Sequence, residues 1–174
     1  MDWLDFKEFM LDSFKFIIVF IILLVLMVYV VSITQVVGSS MDSTLKNQDV
    51  LLLNKAKYRF FDVKRGDLIS FTYEDTKYLI KRVIGLPGDT IEIKNNQLYI
   101  NGQQYEEKYV EHKETPDFSI TELGVQKVPE DSYFVLGDNR SNSLDSRKIG
   151  FVNKEQIIGE VFLRFWPLNK IKFF

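Results

Sequence analysis

The sequence has 174 residues, enough for one domain with a substantial core and too few for two large ones. Its 22 Lys and Arg against 24 Asp and Glu leave a net charge of −2, which gives no strong pull toward nucleic acid. With no cysteine there are no disulfides, thiol nucleophiles or thiolate metal sites, and with His112 as the sole histidine a multi-histidine metal site is excluded. Any chemistry therefore falls to Ser, Thr, Lys, Asp, Glu or Tyr. Fifteen Phe and eight Tyr beside a lone alanine, Ala56, favour strands over a helix bundle.

Residues 1–15 form a short N-terminal segment in which Asp2, Asp5, Glu8 and Asp12 face Lys7 and Lys15. From Phe16 the chain reads "FIIVFIILLVLMVYVV" without a charge. Extended through Ser32 and Ile33, this run makes roughly 27 Å of helix, close to the hydrocarbon thickness of a bilayer. Lys15 can snorkel at one edge and Tyr29 lies near the other interface. A buried soluble helix of this length would carry polar residues. A cleaved signal peptide would carry a basic leader and a small-x-small cleavage site, whereas here the leader is acidic and no Ala-x-Ala follows. The expectation is an uncleaved transmembrane anchor over residues 16–33. The acidic leader gives the positive-inside rule nothing to act on, so charge leaves the orientation open.

Residues 34–174 read as one β-rich domain. "DVLLLNK" (Asp49 to Lys55), "DLISFTY" (Asp67 to Tyr73) and "KYLIKRVIG" (Lys77 to Gly85) are strand-like runs bounded by turn residues. "TIEIKNNQLYINGQ" predicts a hairpin turning at Asn95-Asn96, with a second reversal at Asn101-Gly102. Glu106 to Asp131 is polar, contains Pro116 and Pro129, and reads as an irregular excursion. "SYFVLGDN" and "IIGEVFLRFWPL" add two strands. No sustained helical period and no internal repeat appears beyond the apolar run. The fold class is mainly β: a single N-terminal helix followed by a mostly antiparallel domain.

The stretch "VVGSSMDSTL" (Val36 to Leu45) is dense in hydroxyls, but a serine is a poor nucleophile until a base takes its proton. His112, in "VEHKETPD", reads as a functionless residue of a solvated loop. A buried lysine is the other good base, because desolvation disfavours its ammonium form. Lys81 stands out: it sits in "YLIKRVIGLPGD" among apolar residues, next to Arg82. Neighbours on a strand point to opposite faces, so one of the two cations enters an apolar face or cleft. The residues alone leave Lys81 as either a base or a surface-edge lysine.

Three blocks resemble, in order and spacing, the signature blocks of type I signal peptidases: "GSSMDSTL" (Gly38 to Leu45), "YLIKRVIGLPGD" (Tyr78 to Asp89) and "GDNRSNSLDSR" (Gly137 to Arg147). The short length is similar to the compact Gram-positive form of that family. The resemblance implies a membrane-anchored serine endopeptidase of the signal peptidase fold, removing signal peptides from exported preproteins. It implies Ser40 as the nucleophile and Lys81 as the general base, with Ser143 hydrogen-bonding and orienting that lysine. Asp145 and Arg147 would form a supporting ion pair, and Asp138 would receive Arg82. Met41 and Leu45, with Leu79 and Ile80, would line the pocket for a small −1 side chain, and −3 would be small as well. The peptide would dock as an added strand. The Ser40 amide would donate to the oxyanion, but Gly38 lacks the hydroxyl that many Gram-negative members place there. Ser43 and Ser141 replace a common proline and aspartate, which reads as tolerated variation.

No cofactor or metal is implied. The partners the resemblance implies are secretory preproteins and the lipid bilayer, with no nucleic acid, and the enzyme is expected to be a monomer. The location the resemblance implies is the cell membrane, single-pass, with the catalytic domain on the extracytoplasmic side. "FFDV" (Phe60 to Val63) and the C-terminal "FWPLNKIKFF" are candidates to rest on the bilayer, the second also for core packing. One rival is a self-cleaving repressor with a Ser-Lys dyad, which requires a DNA-binding domain where this sequence places an apolar run. The other is a catalytically silent scaffold, which should have lost Ser40 or Lys81.

Overall fold

The computed structural model describes residues 3–74, 76–110 and 114–174. The reading of His112 as a solvated loop residue falls outside them. Helix α1 spans Trp3–Val30, and strand β1, Val31–Gln35, follows without a linker. The helix therefore does not share the limits of the expected 16–33 anchor. The helix starts earlier, because the leader is rich in residues that tolerate helix and places Asp5 in the first turn. It ends earlier, because the β-branched Val31, Ile33 and Thr34 pair with a neighbouring strand, from Val31 opposite Asn54 to Gln35 opposite Val50. At 28 residues the helix is about 42 Å long, and it is apolar enough to cross a membrane.

That neighbour is β2, Val50–Asn54, followed by a short helix α2, Lys57–Phe60. Then come β3 (Leu68–Tyr73), β4 (Lys77–Gly85), β5 (Ile91–Lys94), β6 (Gln97–Ile100) and β7 (Gln103–Tyr105). The chain continues through β8 (Phe118–Ser119), β9 (Ser132–Leu136), α3 (Ser146–Ile149), β10 (Val152–Asn153), β11 (Ile157–Trp166) and β12 (Lys172–Phe173). The larger antiparallel sheet runs β1-β2-β11-β3-β4-β9-β10, with β12 also paired to β11. The smaller runs β7-β6-β5-β8. The β5–β6 hairpin turns where expected: Asn95 and Asn96 have φ of 50° and 63°, the left-handed pair of a tight two-residue turn.

The excursion after β7 is more ordered than its polarity suggested. Ser119 and Glu122 close a capping box on a 3₁₀ turn over Ile120–Leu123, and Phe118 stacks on Phe134 at 5.4 Å. Three apolar clusters carry the domain. One joins the two sheets through Ile84, Ile91, Leu98, Phe118 and Phe134. Another holds Ile69, Phe71, Val83 and Val135. The third, Val36, Met41, Leu45, Leu51, Leu53, Leu68 and Val161, includes residues of the loop after β1, so that loop is built into the core.

Strand β4 is the organising element. It pairs with β3 along its length, with Lys81 opposite Ile69 and Arg82 opposite Leu68. Directly opposed residues share a face, so Lys81 and Arg82 do part to opposite faces as alternation requires. On the other side, β9 reaches only as far as Arg82, opposite Leu136. Among the described residues, 77–81 therefore have no strand partner on that side, and the loop after β1 comes close to β4 there.

Candidate active site

The turn carrying Ser40 is held at several points. The Val36 amide donates to Asp49 O, and the Gln48 amide donates back to Val36 O, which closes the loop at its neck. The amides of Thr44 and Leu45 both donate to Met41 O, making one helical turn. Met41 and Leu45 are buried, so the turn is fixed by apolar packing. The Gly38 amide donates to Asn47 Oδ1 at 3.0 Å. The third block closes over the turn from the other side. The Asn139 amide donates to Ser40 O at 3.1 Å and its side chain to Ser39 O at 3.0 Å, while Asn142 donates to Ser39 Oγ at 2.9 Å. Among the described residues nothing accepts a hydrogen bond from the Ser40 amide, which leaves that donor available.

Lys81 Nζ lies 2.8 Å from Ser40 Oγ and donates to Ile80 O at 2.9 Å. The side chain is only 2% exposed. Burial pulls its pKa down from 10.5 to about 8, against the opposing pull of Asp145 and Asp138. Desolvation wins because each of those carboxylates already has its own cation. Arg82 donates to Asp138 through Nε at 2.9 Å and Nη2 at 2.6 Å. Arg147 grips Asp145 in the same two-pronged way, at 2.9 Å for each contact. Asp145 also accepts from the Gly137 amide at 3.1 Å, and Asp138 from Thr44 Oγ1 at 2.5 Å. The expected partners of Arg82 and Arg147 are thus found.

Two expectations are corrected. Ser143 does not hydrogen-bond Lys81: its Oγ is buried with no hydrogen-bond partner among the described residues, and the lysine is oriented by Ile80 O. Ser143 packs instead against Gly137, where an added Cβ would lie 2.2 Å from Ser143 Oγ and 2.5 Å from Ser40 O. Only glycine allows that approach. Leu45 does not line the groove beside Ser40 and Lys81. It is fully buried behind Met41 in the core cluster, where its volume supports the turn.

The groove beside the Ser40–Lys81 pair has a volume of about 220 Å³. Met41, Leu79 and Ile80 line it, together with Val36, Val37 and Tyr78, which sequence reasoning missed. The strand following an anchor and the first half of a lysine-bearing strand are the places such a wall would come from. Sequence reasoning also missed Thr44, which bonds Asp138, and the Arg140–Glu107 pair, in which Arg140 Nη1 donates to Glu107 Oε2 at 2.7 Å. Arg140 is an always-charged side chain next to two block residues, and a buried arginine demands a carboxylate. Among the described residues no group of three or more His, Asp or Glu side chains converges as a metal centre.

A buried lysine amine against a serine hydroxyl, beside an apolar groove and a free backbone amide, has the parts for acyl transfer. Comparison with known proteins points the same way. The family model for "Signal peptidase, peptidase S26" matches residues 10–166. Signal peptidase I P of Bacillus subtilis subsp. natto is 44% identical over 142 residues, covering 78% of this chain and 77% of that protein. Signal peptidase I of Bacillus amyloliquefaciens is 41% identical over 173 residues, covering 95% and 93%. Signal peptidase IB of Staphylococcus aureus (strain MRSA252) is 35% identical over 169 residues, covering 90% and 88%. The crystal structure of a signal peptidase I from Enterococcus faecalis V583 superposes with a TM-score of 0.54 at 38% identity, covering 58% of this chain and 97% of that one. The chain therefore belongs to the peptidase S26 family of signal peptidases and is a hydrolase of the serine protease class.

Proposed function

We propose that the protein is a membrane-bound signal peptidase that cleaves exported preproteins through a Ser40–Lys81 dyad. The observation that carries this reading is the 2.8 Å approach of a buried Lys81 Nζ to Ser40 Oγ. With its pKa near 8, about a tenth of Lys81 is neutral at pH 7, enough to act as a general base. Donation of one N–H to Ile80 O turns the amine so that its lone pair faces the hydroxyl.

Neutral Lys81 takes the Ser40 proton as Oγ attacks the scissile carbonyl. The Ser40 amide receives the oxyanion. The Gly38 amide is engaged by Asn47 Oδ1, so it is not the second donor. Lys81 then hands its proton to the leaving amine, giving the ester-linked acyl-enzyme, and afterwards activates the water that hydrolyses it. The unpaired edge of β4 at residues 77–81 offers main-chain hydrogen bonds to a substrate added as a strand. A small apolar groove beside it suits small side chains at −1 and −3.

In this reading α1 is the single membrane anchor and residues 34–174 are the catalytic domain, a monomer on the extracytoplasmic side. The helix passes directly into β1, which keeps the groove near the bilayer surface where a signal peptide's apolar segment ends. Phe60, Phe61, Trp166 and Phe173 are each at least half exposed and would rest on the lipid, and the exposure of the C-terminal aromatics disfavours core packing for that segment.

Incubation of the full chain in detergent micelles with a preprotein bearing an Ala-x-Ala site should give cleavage at that site. Ser40→Ala and Lys81→Ala should each lower the rate by roughly 10³-fold or more, and cleavage persisting in either would remove the dyad assignment. The cleavage rate of the unmodified enzyme should rise about tenfold per pH unit up to about pH 8 and level off above it. A lysine whose folded pKa lies below its ordinary 10.5 binds its proton more weakly in the folded chain than in the unfolded one. Its burial thus costs stability in full below about pH 8, and the cost fades as pH rises toward 10.5. Lys81→Met should accordingly abolish cleavage yet raise the unfolding free energy by about 3 kcal/mol at pH 7. Denaturant unfolding across this pH range should show that gain shrinking above pH 8.

A further inference from the structure

Within the polar excursion after β7, the short run Glu107-Lys108-Tyr109 touches all three blocks that build the site. Ser43, in the nucleophile turn, donates its hydroxyl to Tyr109 O at 2.6 Å. The Arg82 guanidinium, one residue beyond Lys81, lies over the Tyr109 ring at 3.9 Å from its centroid. Tyr109 Oη donates to Glu107 Oε1 at 3.0 Å, and both Glu107 oxygens accept from Arg140 of the third block. Arg140 in turn donates through Nε to Gly137 O at 3.0 Å, and its own carbonyl accepts from Arg147 at 2.7 Å.

These contacts are made by groups that could not stay where they are alone. Ser43 has φ of +92°, a left-handed conformation that a serine holds only when its surroundings impose it. The Tyr109 contact is the side-chain hydrogen bond that Ser43 makes, so the replacement of proline here is more than neutral variation: proline's φ near −65° does not reach this conformation. Arg140 is 3% exposed and Arg82 is 9% exposed, and a buried guanidinium without its carboxylate or aromatic cover is strongly destabilising. The tyrosine ring closes the Arg82–Asp138 pair away from water, and burial with the Glu107 charge pushes the Tyr109 hydroxyl pKa upward, so it stays a neutral donor.

We propose that Glu107 and Tyr109 are positioning residues of the active site, clamping the turn that carries Ser40, the strand that carries Lys81 and the third block into one register through Ser43, Arg82 and Arg140. They touch neither the substrate nor the reacting atoms. The proposal rests on reading Ser40 and Lys81 as the dyad, and goes beyond it by giving a catalytic consequence to a segment outside the three blocks. Its physical link to Lys81 runs through charge. The groups acting on that amine are Asp138, paired with Arg82 and Thr44, and Asp145, paired with Arg147. Loosening Arg82 leaves Asp138 less neutralised, which favours the ammonium form of Lys81 and moves the onset of activity to higher pH.

The test uses the full chain in detergent micelles, the Ala-x-Ala preprotein as substrate, and a temperature below the unfolding of every variant. For Tyr109→Ala the expected result is a fall in kcat of about 10- to 100-fold with KM within about twofold, and a pH–rate midpoint displaced to higher pH. Tyr109→Phe keeps the ring on Arg82 and should restore the midpoint and most of kcat. Ser43→Ala, a single hydroxyl removed from a part-buried turn, should lower kcat by about 3- to 10-fold without changing KM. This second variant keeps the proposal open to failure if Tyr109→Ala does not fold. Unchanged kcat and midpoint in Tyr109→Ala, or unchanged kcat in Ser43→Ala, would overturn it. So would a Tyr109→Phe enzyme as impaired as Tyr109→Ala. The Ser40→Ala enzyme separates the two readings: if it still cleaves, the dyad assignment has failed; if it is inert while the Tyr109 and Ser43 variants match the parent, only the clamp has failed.

Discussion

A lysine amine held out of water against a serine hydroxyl is the constraint around which the rest of this domain is arranged. Left exposed, Lys81 would stay protonated and have no lone pair to offer. Buried among unpaired carboxylates, it would be held in the ammonium form by their charge. The structure avoids both outcomes. Asp138 and Asp145 sit close enough to act on Lys81, yet each is gripped by an arginine, so burial dominates and the pKa settles near 8. The two ion pairs therefore tune a neighbour as much as they hold the fold, and removing either arginine would bias Lys81 toward its ammonium form.

The surrounding architecture follows from keeping that amine dry while leaving a groove open beside it. Strand β4 carries Lys81 at the point where its pairing with β9 stops, so the lysine is backed by sheet on one side and open to a groove on the other. The turn carrying Ser40 is pinned below by Met41 and Leu45 and above by Asn139, with Gly137 allowing the third block to come into contact with the Ser40 carbonyl. Because β1 leaves the end of α1 directly, the same residues that pair with β2 also set the distance between the apolar helix and the groove.

Much of this was legible in the sequence where local rules decide. The Asn95-Asn96 hairpin, the strand character of residues 77–85 and the divergence of Lys81 from Arg82 depend on turn chemistry and a two-residue period. Neither rule needs knowledge of distant contacts. The end of α1 was not legible, because Val31 and Ile33 satisfy an apolar helix and a strand equally well and only pairing with β2 separates them. Leu45 presents the same ambiguity, since core and pocket both select an apolar side chain. The block resemblance carried residue types reliably but not rotamers: Ser143 lies in the right block with its hydroxyl turned toward Gly137 instead of the lysine. Glu107 and Tyr109 were hidden for a further reason. Their partners lie in three different segments, and in the sequence they are two polar residues in a polar stretch.

The central claim is that Lys81 is a desolvated base matched to Ser40, and titrating that amine itself tests it most directly. In the full chain labelled with ¹³C at lysine Cε and held in detergent micelles, the Lys81 resonance is identified by its loss in Lys81→Met. Its chemical shift is then followed from pH 6 to 11. A midpoint near 8, well separated from other lysines at about 10.5, is the result predicted. A Lys81 midpoint that coincides with the exposed lysines would contradict the account, because the group beside Ser40 would then be an ammonium ion throughout the working range.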